Sequence, residues 1–337
     1  MVRISVILPV YGVGQYIEKC TRSLLAQTLD DMEFVFVDDH GPDDSIAIAQ
    51  RTIAGHPREA QFRFLRPEHN LGAGMARNFA IPQVKGEYVA FVDSDDWVEP
   101  TMFEELYAVA KQNDDSDLCC CEMQKVYPDG RRGDVLKNPH VGNGILTHEK
   151  RAFILTKYVS LFASFIYKRE FLLKNDLRFA EDRSADDSYF VSCAWMKASS
   201  IAYVNKPLYQ YLIRPGSVTT TKDSAKYKKR LAVFDNLMRY AKEHQVYDDF
   251  KPEIDFMYVK KGYLSSVTNY IINSSEPEFE VYEEIRKHLV GLIPDYESNR
   301  YYSRNIALRL LVWMLHWTPL IATKAIRLWV KKNNVIS

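Results

Sequence analysis

Three carboxylates crowd into the four positions Asp93-Ser94-Asp95-Asp96, directly behind the apolar run Tyr88-Val89-Ala90-Phe91-Val92. Acids at the end of a buried strand repel one another and lose hydration. A divalent cation removes that cost. Mg2+ or Mn2+ suits the position, because hard cations take oxygen ligands, often one or two carboxylates plus substrate phosphates. An ion held there can bridge a diphosphate and stabilise the charge that grows as the bond from diphosphate to carbon breaks. The alternative is a solvated acidic loop, which the apolar strand before it argues against.

The elements around these acids alternate between strand and helix. Arg3 to Val10, Glu33 to Val37, Phe62 to Leu65, Glu87 to Val92 and Leu118 to Glu122 are short β-rich runs, as buried parallel strands should be. Helices are expected between them. Gly14 to Thr28 places Tyr16, Ile17, Cys20, Leu24 and Leu25 on one side. Asp43, Asp44 and Ser45 are expected to cap a helix running to Ile53. Ala73 to Ile81 follows, and Glu99-Pro100 opens the next helix with proline where it does no harm. This predicts an α/β fold with a doubly wound, mainly parallel sheet. Ligands of such sheets sit at the carboxyl ends of the strands. The polar clusters Tyr11 to Gly14, Asp38 to Asp44 and Asp93 to Asp96 all fall there. Further on, Pro128-Asp129-Gly130 predicts a turn between short strands. Leu161 to Tyr167 and Ile201 to Val204 read as strands, with a helix from Asp187 to Ala198 between them. From about Ala225 the pattern is helical, so residues 1–220 and 221–337 are expected to form two regions.

At 337 residues, one large domain with a helical appendage is the natural reading. An apolar fraction of 47% excludes wholesale disorder. Acids and bases balance at 44 each, so no global field draws the chain to nucleic acid. A strand-like run begins at Arg3, which predicts no signal peptide. Cys20, Cys119, Cys120, Cys121 and Cys193 match no zinc spacing, and the three adjacent ones are badly placed to pair with one another. They are expected to be reduced, buried thiols of a cytosolic protein.

Several separate segments, in order over roughly residues 3 to 220, resemble the family 2 glycosyltransferases, whose fold is called GT-A. Ile7-Leu8-Pro9-Val10-Tyr11 resembles the family's first strand, and Ser23 to Thr28 its S-x-x-x-Q-T helix end. Val37-Asp38-Asp39 is similar to its V-D-D. Asn70, Gly72, Ala76, Arg77 and Asn78 fit N-x-G-x-x-x-A-R-N. Gly86-Glu87-Tyr88 and Asp93-Ser94-Asp95-Asp96 resemble G-E-Y and D-S-D-D. The resemblance implies transfer of a sugar from a nucleotide-diphosphate donor, UDP-linked, to an acceptor hydroxyl, with Mn2+ or Mg2+ as cofactor. Pro9 and Tyr11 would shape the nucleoside pocket, the Tyr11 ring against the base. Asp39 would accept from the uracil N–H. Asn70 and Arg77 would lie near the nucleotide-sugar, Asp93 and Asp95 on the sugar or ribose side, and Asp96 would ligate the metal.

The family's E-D-x-x-F is matched by Asp186-Asp187-Ser188-Tyr189-Phe190. By that alignment Asp187 is the base that takes the acceptor's proton in an inverting displacement, and Asp186 stands on the acceptor side. Two acids at a helix start also suit the helix dipole on structural grounds alone. Tyr209 to Ser217 resembles Y-x-Y-x-x-R-x-x-S, which would bring Arg214 to the diphosphate as a forked contact; the alternative is a loop arginine paired with a surface acid. Gly12 and His40 depart from the family's usual residues, and both line the implied nucleotide pocket. His140 and His148 are assigned no chemistry.

Gly12-Val13-Gly14 faintly echoes a dinucleotide fingerprint, but Ile17 occupies the place of its third glycine, and no P-loop is present. A sugar-phosphate nucleotidyltransferase would want a glycine-rich loop with Arg and Lys after the first strand, and Tyr11 to Tyr16 offers none. A catalytically inactive assembly partner at the membrane is the other rival; the intact acids argue against it. In the last third, Lys222, Lys226, Lys228, Lys229 and Arg230 form a basic run, and no acid follows Glu297. The uncharged stretch from Leu310 to Thr323 is too short to span a bilayer and contains Pro319. With its flanking bases and tryptophans it fits a helix lying in a membrane interface, or one packing on protein. The resemblance implies a cytoplasmic enzyme, peripheral at the inner face of the membrane, acting on a glycan or lipid-linked acceptor in bacterial polysaccharide synthesis.

Overall fold

The computed structural model describes residues 1–157, 161–181, 186–214, 226–274 and 276–332; the side chains of Asp186, Lys226, Lys331 and Lys332 lie outside that set. Ser217 and Lys222 also lie outside the described residues. The chain forms two compact units. One comprises Met1–Arg151 with Val159–Ile213, the other Ala152–Tyr158 with Arg214–Ser337.

The first unit opens with strand–helix alternation: β1 (Ile4–Val10), α1 (Ile17–Leu25), β2 (Met32–Asp38), α2 (Ser45–Ile53), β3 (Phe62–Leu65), α3 (Ala73–Ala80) and β4 (Tyr88–Phe91). It continues through β5 (Trp97–Val98), α4 (Met102–Gln112), β6 (Leu118–Val126), β7 (Arg132–Leu136), β8 (Gly144–Ile145) and the start of α5 (His148–Lys157), which groups with the second unit from Ala152 on. It closes with β9 (Phe165–Lys168), α6 (Arg169–Lys174), α7 (Asp186–Lys197) and β10 (Ser200–Leu212). The sheet runs β3-β2-β1-β4-β9-β6-β10-β5, with β7 on β6 and β8 on β10.

The sheet is parallel from β3 to β4 and mixed beyond, because β9 enters antiparallel between β4 and β6. The expectation of a mainly parallel sheet therefore holds for its first half only; a short apolar run carries no sign of its direction. Phe162–Ser164 is a 3-10 turn rather than the start of β9. β10 is much longer than the expected Ile201 to Val204. The polar Asn205-Lys206-Pro207 interrupts its apolar pattern where the register with β6 slips.

Motif residues explain the packing of this sheet. A Cβ on Gly86 would meet Ser5 N and Ser5 Oγ at 2.5 Å, so only glycine lets this loop approach β1. Glu87 then accepts from Tyr107 Oη at 2.7 Å and Lys111 Nζ at 2.9 Å, fixing α4. At the end of α1, Gln27 Nε2 donates to Glu99 O at 2.9 Å, and Ser23 Oγ accepts from Val98 N at 3.3 Å. The S-x-x-x-Q-T segment thus holds the chain just past Asp96. Asp44 does not cap α2 with its side chain. Asp43 instead accepts from Gly14 N at 2.8 Å and from Ser45 Oγ at 2.5 Å, which joins the loops after β1 and β2. All five cysteines are free and buried.

The second unit is helical: α8 (Lys226–Glu243), α9 (Tyr247–Met257), a π-helical turn Tyr258–Tyr263, α10 (Leu264–Asn273), α11 (Phe279–Leu292), α12 (Arg300–Ser303), α13 (Ile306–Trp317) and α14 (Pro319–Lys332). Its core includes Phe234, Leu237, Ile254, Val267, Ile271, Ile285 and Leu289. Among the described residues no helix is long and apolar enough to cross a membrane.

Candidate active site

The order of the sheet brings the polar clusters together. Tyr11 follows β1, Asp39 follows β2 and Asp93 to Asp96 follow β4, and β1 pairs in parallel with both β2 and β4. Three loops distant in sequence therefore meet at one carboxyl edge.

The Asp93-Ser94-Asp95-Asp96 loop is fixed from two sides. Ser94 Oγ donates to Pro9 O at 2.8 Å, so buried Pro9 anchors the loop through its backbone. Tyr209 Oη accepts from Asp93 N at 3.1 Å and donates to Asp96 Oδ2 at 2.7 Å. Asp96 Oδ1 accepts from Leu212 N at 2.7 Å. The Asp96 carboxyl is 2% exposed, and both its oxygens are bound to β10. Burial, then Asp93 and Asp95, push its pKa well above the usual carboxylate range. Asp96, expected as the metal ligand, is thus turned inward as a tie between the loop and β10. Asp93 and Asp95 are the half-buried members of the cluster. Among the described residues no group of three or more His, Cys, Asp or Glu side chains is disposed to hold a metal. Two carboxylate side chains still fit a hard cation that draws its other ligands from diphosphate and water.

Arg77, on α3, joins this loop to the second acidic segment. Its side chain is 3% exposed and lies over the rings of Phe162 at 4.6 Å and Phe179 at 5.0 Å. Nη2 binds Asp93 Oδ1, and Nη1 lies 4.0 Å from Asp187 Oδ1. Asp187, in the first turn of α7, is 41% exposed at its side chain. The next residue on α3, Asn78, donates from Nδ2 to Phe179 O at 2.8 Å and accepts from Phe179 N at 2.8 Å. This exchange clamps the chain that leads toward α7.

Asp39 is 1% exposed and holds the start of α3. Its Oδ1 accepts from Leu71 N at 2.6 Å, and its Oδ2 from Gly72 N at 2.8 Å and Asn70 Nδ2 at 3.0 Å. Three of its four acceptor positions thus serve the 70–72 segment. Tyr11 is 54% exposed beside this edge. His40 occupies the family's glycine position with φ +60°, the left-handed conformation a glycine would take freely. Its Nε2 lies 2.8 Å from Pro67 O and holds the strained loop.

The structure therefore gathers Pro9, Tyr11, Asp39, Asn70, Arg77, Asp93, Asp95 and Asp187 in the first unit. The side chain of Asp186 lies outside the described residues. Arg214, half-buried just past β10, groups with the second unit. Tyr209 and Asn78 carry positional roles that their types and spacing did not reveal. Their partners are 116 and 101 residues away, and only the fold brings them together.

Residues 5–174 match the profile described as Glycosyl transferase family 2. The chain belongs to this family. Its relatives include two Bacillus subtilis proteins named as glycosyltransferases, EpsH and EpsJ. EpsH is 27% identical over 281 residues, 82% of this chain and 80% of EpsH. EpsJ is 34% identical over 225 residues, 64% of this chain and 62% of EpsJ. Among solved structures, S. aureus TarS 1-349 in complex with UDP-GlcNAc matches with a TM-score of 0.63 at 21% identity, over 98% of this chain and 92% of that one. That likeness shows the fold of this glycosyltransferase to be of the GT-A kind.

Proposed function

We propose that this glycosyltransferase moves a sugar from a UDP-linked donor to a hydroxyl of a glycan or lipid-linked acceptor, in a single displacement that inverts the anomeric centre. The observation that carries this reading is Arg77, which binds Asp93 with one nitrogen and approaches Asp187 with the other. One acid belongs to the D-S-D-D loop and the other approaches the same guanidinium from the start of α7, which supports a donor-side and an acceptor-side carboxylate at one place. Asp187 takes the proton of the acceptor hydroxyl while that oxygen attacks the anomeric carbon. The bond from carbon to the diphosphate oxygen breaks, and UDP leaves. An α-linked donor then gives a β-linked product.

Asp95 and Asp93, rather than Asp96, would hold Mn2+ or Mg2+, which when bound offsets the negative charge on the diphosphate. Asp96 keeps the loop in shape from beneath. The exposed ring of Tyr11 suits a flat base, and the remaining acceptor position of Asp39 suits an imide N–H. TarS, whose structure holds UDP-GlcNAc, has the same fold and supports a UDP donor here. Arg214 is proposed to reach the diphosphate, and Asp186 the acceptor.

The test is nucleotide release from a panel of UDP-, GDP- and dTDP-sugars, each with Mn2+, Mg2+ or EDTA. Metal-dependent release of UDP is expected. Release from GDP-sugars alone would refute the UDP donor, and release undiminished in EDTA would refute the metal.

A further inference from the structure

The outer faces of α13 and α14 combine apolar exposure with positive charge. On α13, Ile306, Leu310, Trp313 and Trp317 are 77%, 55%, 54% and 65% exposed. Their spacing places them along one face of a helix. Leu308, Val312 and Leu315, on the opposite face, are buried in the second unit. On α14, Leu320, Ile321 and Leu328 are 78%, 59% and 68% exposed, while Ala322 and Ile326 are buried. Both helices are thus packed on one side and apolar on the other. Isolated exposed leucines are ordinary, but a run of this length is not.

The charge pattern selects the occupant. Arg304, Arg309 and Lys324 are exposed among these residues, Lys331 and Lys332 follow in the sequence, and no acid occurs after Glu297. From Ser298 onward the chain carries seven bases, so in a molecule of zero net charge the remainder holds an excess of seven acids. Two copies meeting through this same face would set like charges against each other. An anionic lipid surface would not: its headgroups attract the bases, and its acyl boundary receives Trp313, Trp317 and the leucines. At 12 and 14 residues, α13 and α14 are roughly 18 and 21 Å long, shorter than a hydrocarbon core of about 30 Å. They can lie in an interface but not cross it.

We infer that α13 and α14 form a docking surface for an anionic bilayer, lying in its headgroup region. The inference does not depend on the catalytic reading, since vesicle binding needs no nucleotide. The full chain is mixed with phosphatidylcholine vesicles, with and without phosphatidylglycerol, and bound protein is measured by flotation. Binding is expected to vesicles containing phosphatidylglycerol and to weaken as salt rises. The double variants Trp313→Ser/Trp317→Ser and Arg309→Glu/Lys324→Glu should each weaken it by about tenfold or more. These residues are exposed, so melting curves should match the parent and confirm that the variants fold. Failure of the parent to bind anionic vesicles, or binding unchanged in both variants, overturns the inference. So does a dimer, seen by sedimentation, that the tryptophan variant dissociates while vesicle binding is absent; that result would assign the face to a second copy.

Discussion

Arg77 Nη1 lies 4.0 Å from Asp187 Oδ1, while Nη2 of the same guanidinium holds Asp93. The two carboxylates come from segments 94 positions apart and meet through one buried cation. A planar fork held over two rings fixes direction as well as charge, which a lysine ammonium does not. The spacing between the D-S-D-D loop and the start of α7 is therefore set by α3.

Arg77→Lys should fold yet lose most turnover, because one ammonium cannot keep both carboxylates in place. Arg77→Ala removes the buried partner of Asp93 and should lower stability by about 3 kcal/mol in urea titration. Turnover within twofold of the parent in Arg77→Lys would show that the fork is dispensable.

Asp187→Asn keeps the shape of the side chain and removes its capacity as a base. Transfer to acceptor should fall by at least about a thousandfold, while donor affinity, read by calorimetry, stays within about twofold. Lost donor binding would contradict the assigned role.

Asp95 and Asp96 should separate cleanly. Asp96→Ala leaves Tyr209 Oη and Leu212 N without their acceptor, and should cost about 2–4 kcal/mol of stability. Asp95→Ala removes a half-buried carboxylate and should lower stability by less than Asp96→Ala does, but abolish metal-dependent donor binding. The reverse pattern would return the metal to Asp96.

The first half of the fold was legible because each buried strand ends abruptly in polar residues. The run from Tyr88 to Val92 followed by three acids located the carboxyl edge without any knowledge of contacts. What was not legible depended on distance in sequence. The family resemblance assigns the metal to Asp96, and only Tyr209, 113 residues on, shows that the Asp96 side chain is bonded to β10. The antiparallel entry of β9 was hidden for a similar reason, since a buried strand looks alike in either direction. The continuation of β10 was hidden by Asn205 and Lys206, exposed where the strand bulges.

The cysteines provide a test that is independent of the chemistry. Burial pushes the Cys121 thiol up to about 12 and raises those of Cys20, Cys120 and Cys193 well above their ordinary value. At pH 8 the native protein should show no thiol reactive toward an aromatic disulfide, and all five should react in guanidinium. A fast-reacting native thiol would contradict the packing around it.

Asn78 offers the sharpest test of positioning. Its amide exchanges two hydrogen bonds with the backbone of Phe179, whose ring stacks on Phe190 of α7 at 4.2 Å between centroids. Among the described residues Asn78 hydrogen-bonds to neither acid, so its effect on Asp187 is expected to pass through the chain that leads to α7. Asn78→Ala strands a buried N–H and a buried C=O and should cost about 2–3 kcal/mol. Asn78→Asp is the more informative change. It still accepts from Phe179 N, but it loses the donor to Phe179 O and sets a carboxylate against a carbonyl oxygen. If the clamp sets the position of Asp187, Asn78→Asp should lower kcat for transfer by about tenfold or more and leave the donor KM within about twofold. A purely structural role would lower the melting temperature of both variants while kcat, measured well below that temperature, stayed at the parent value.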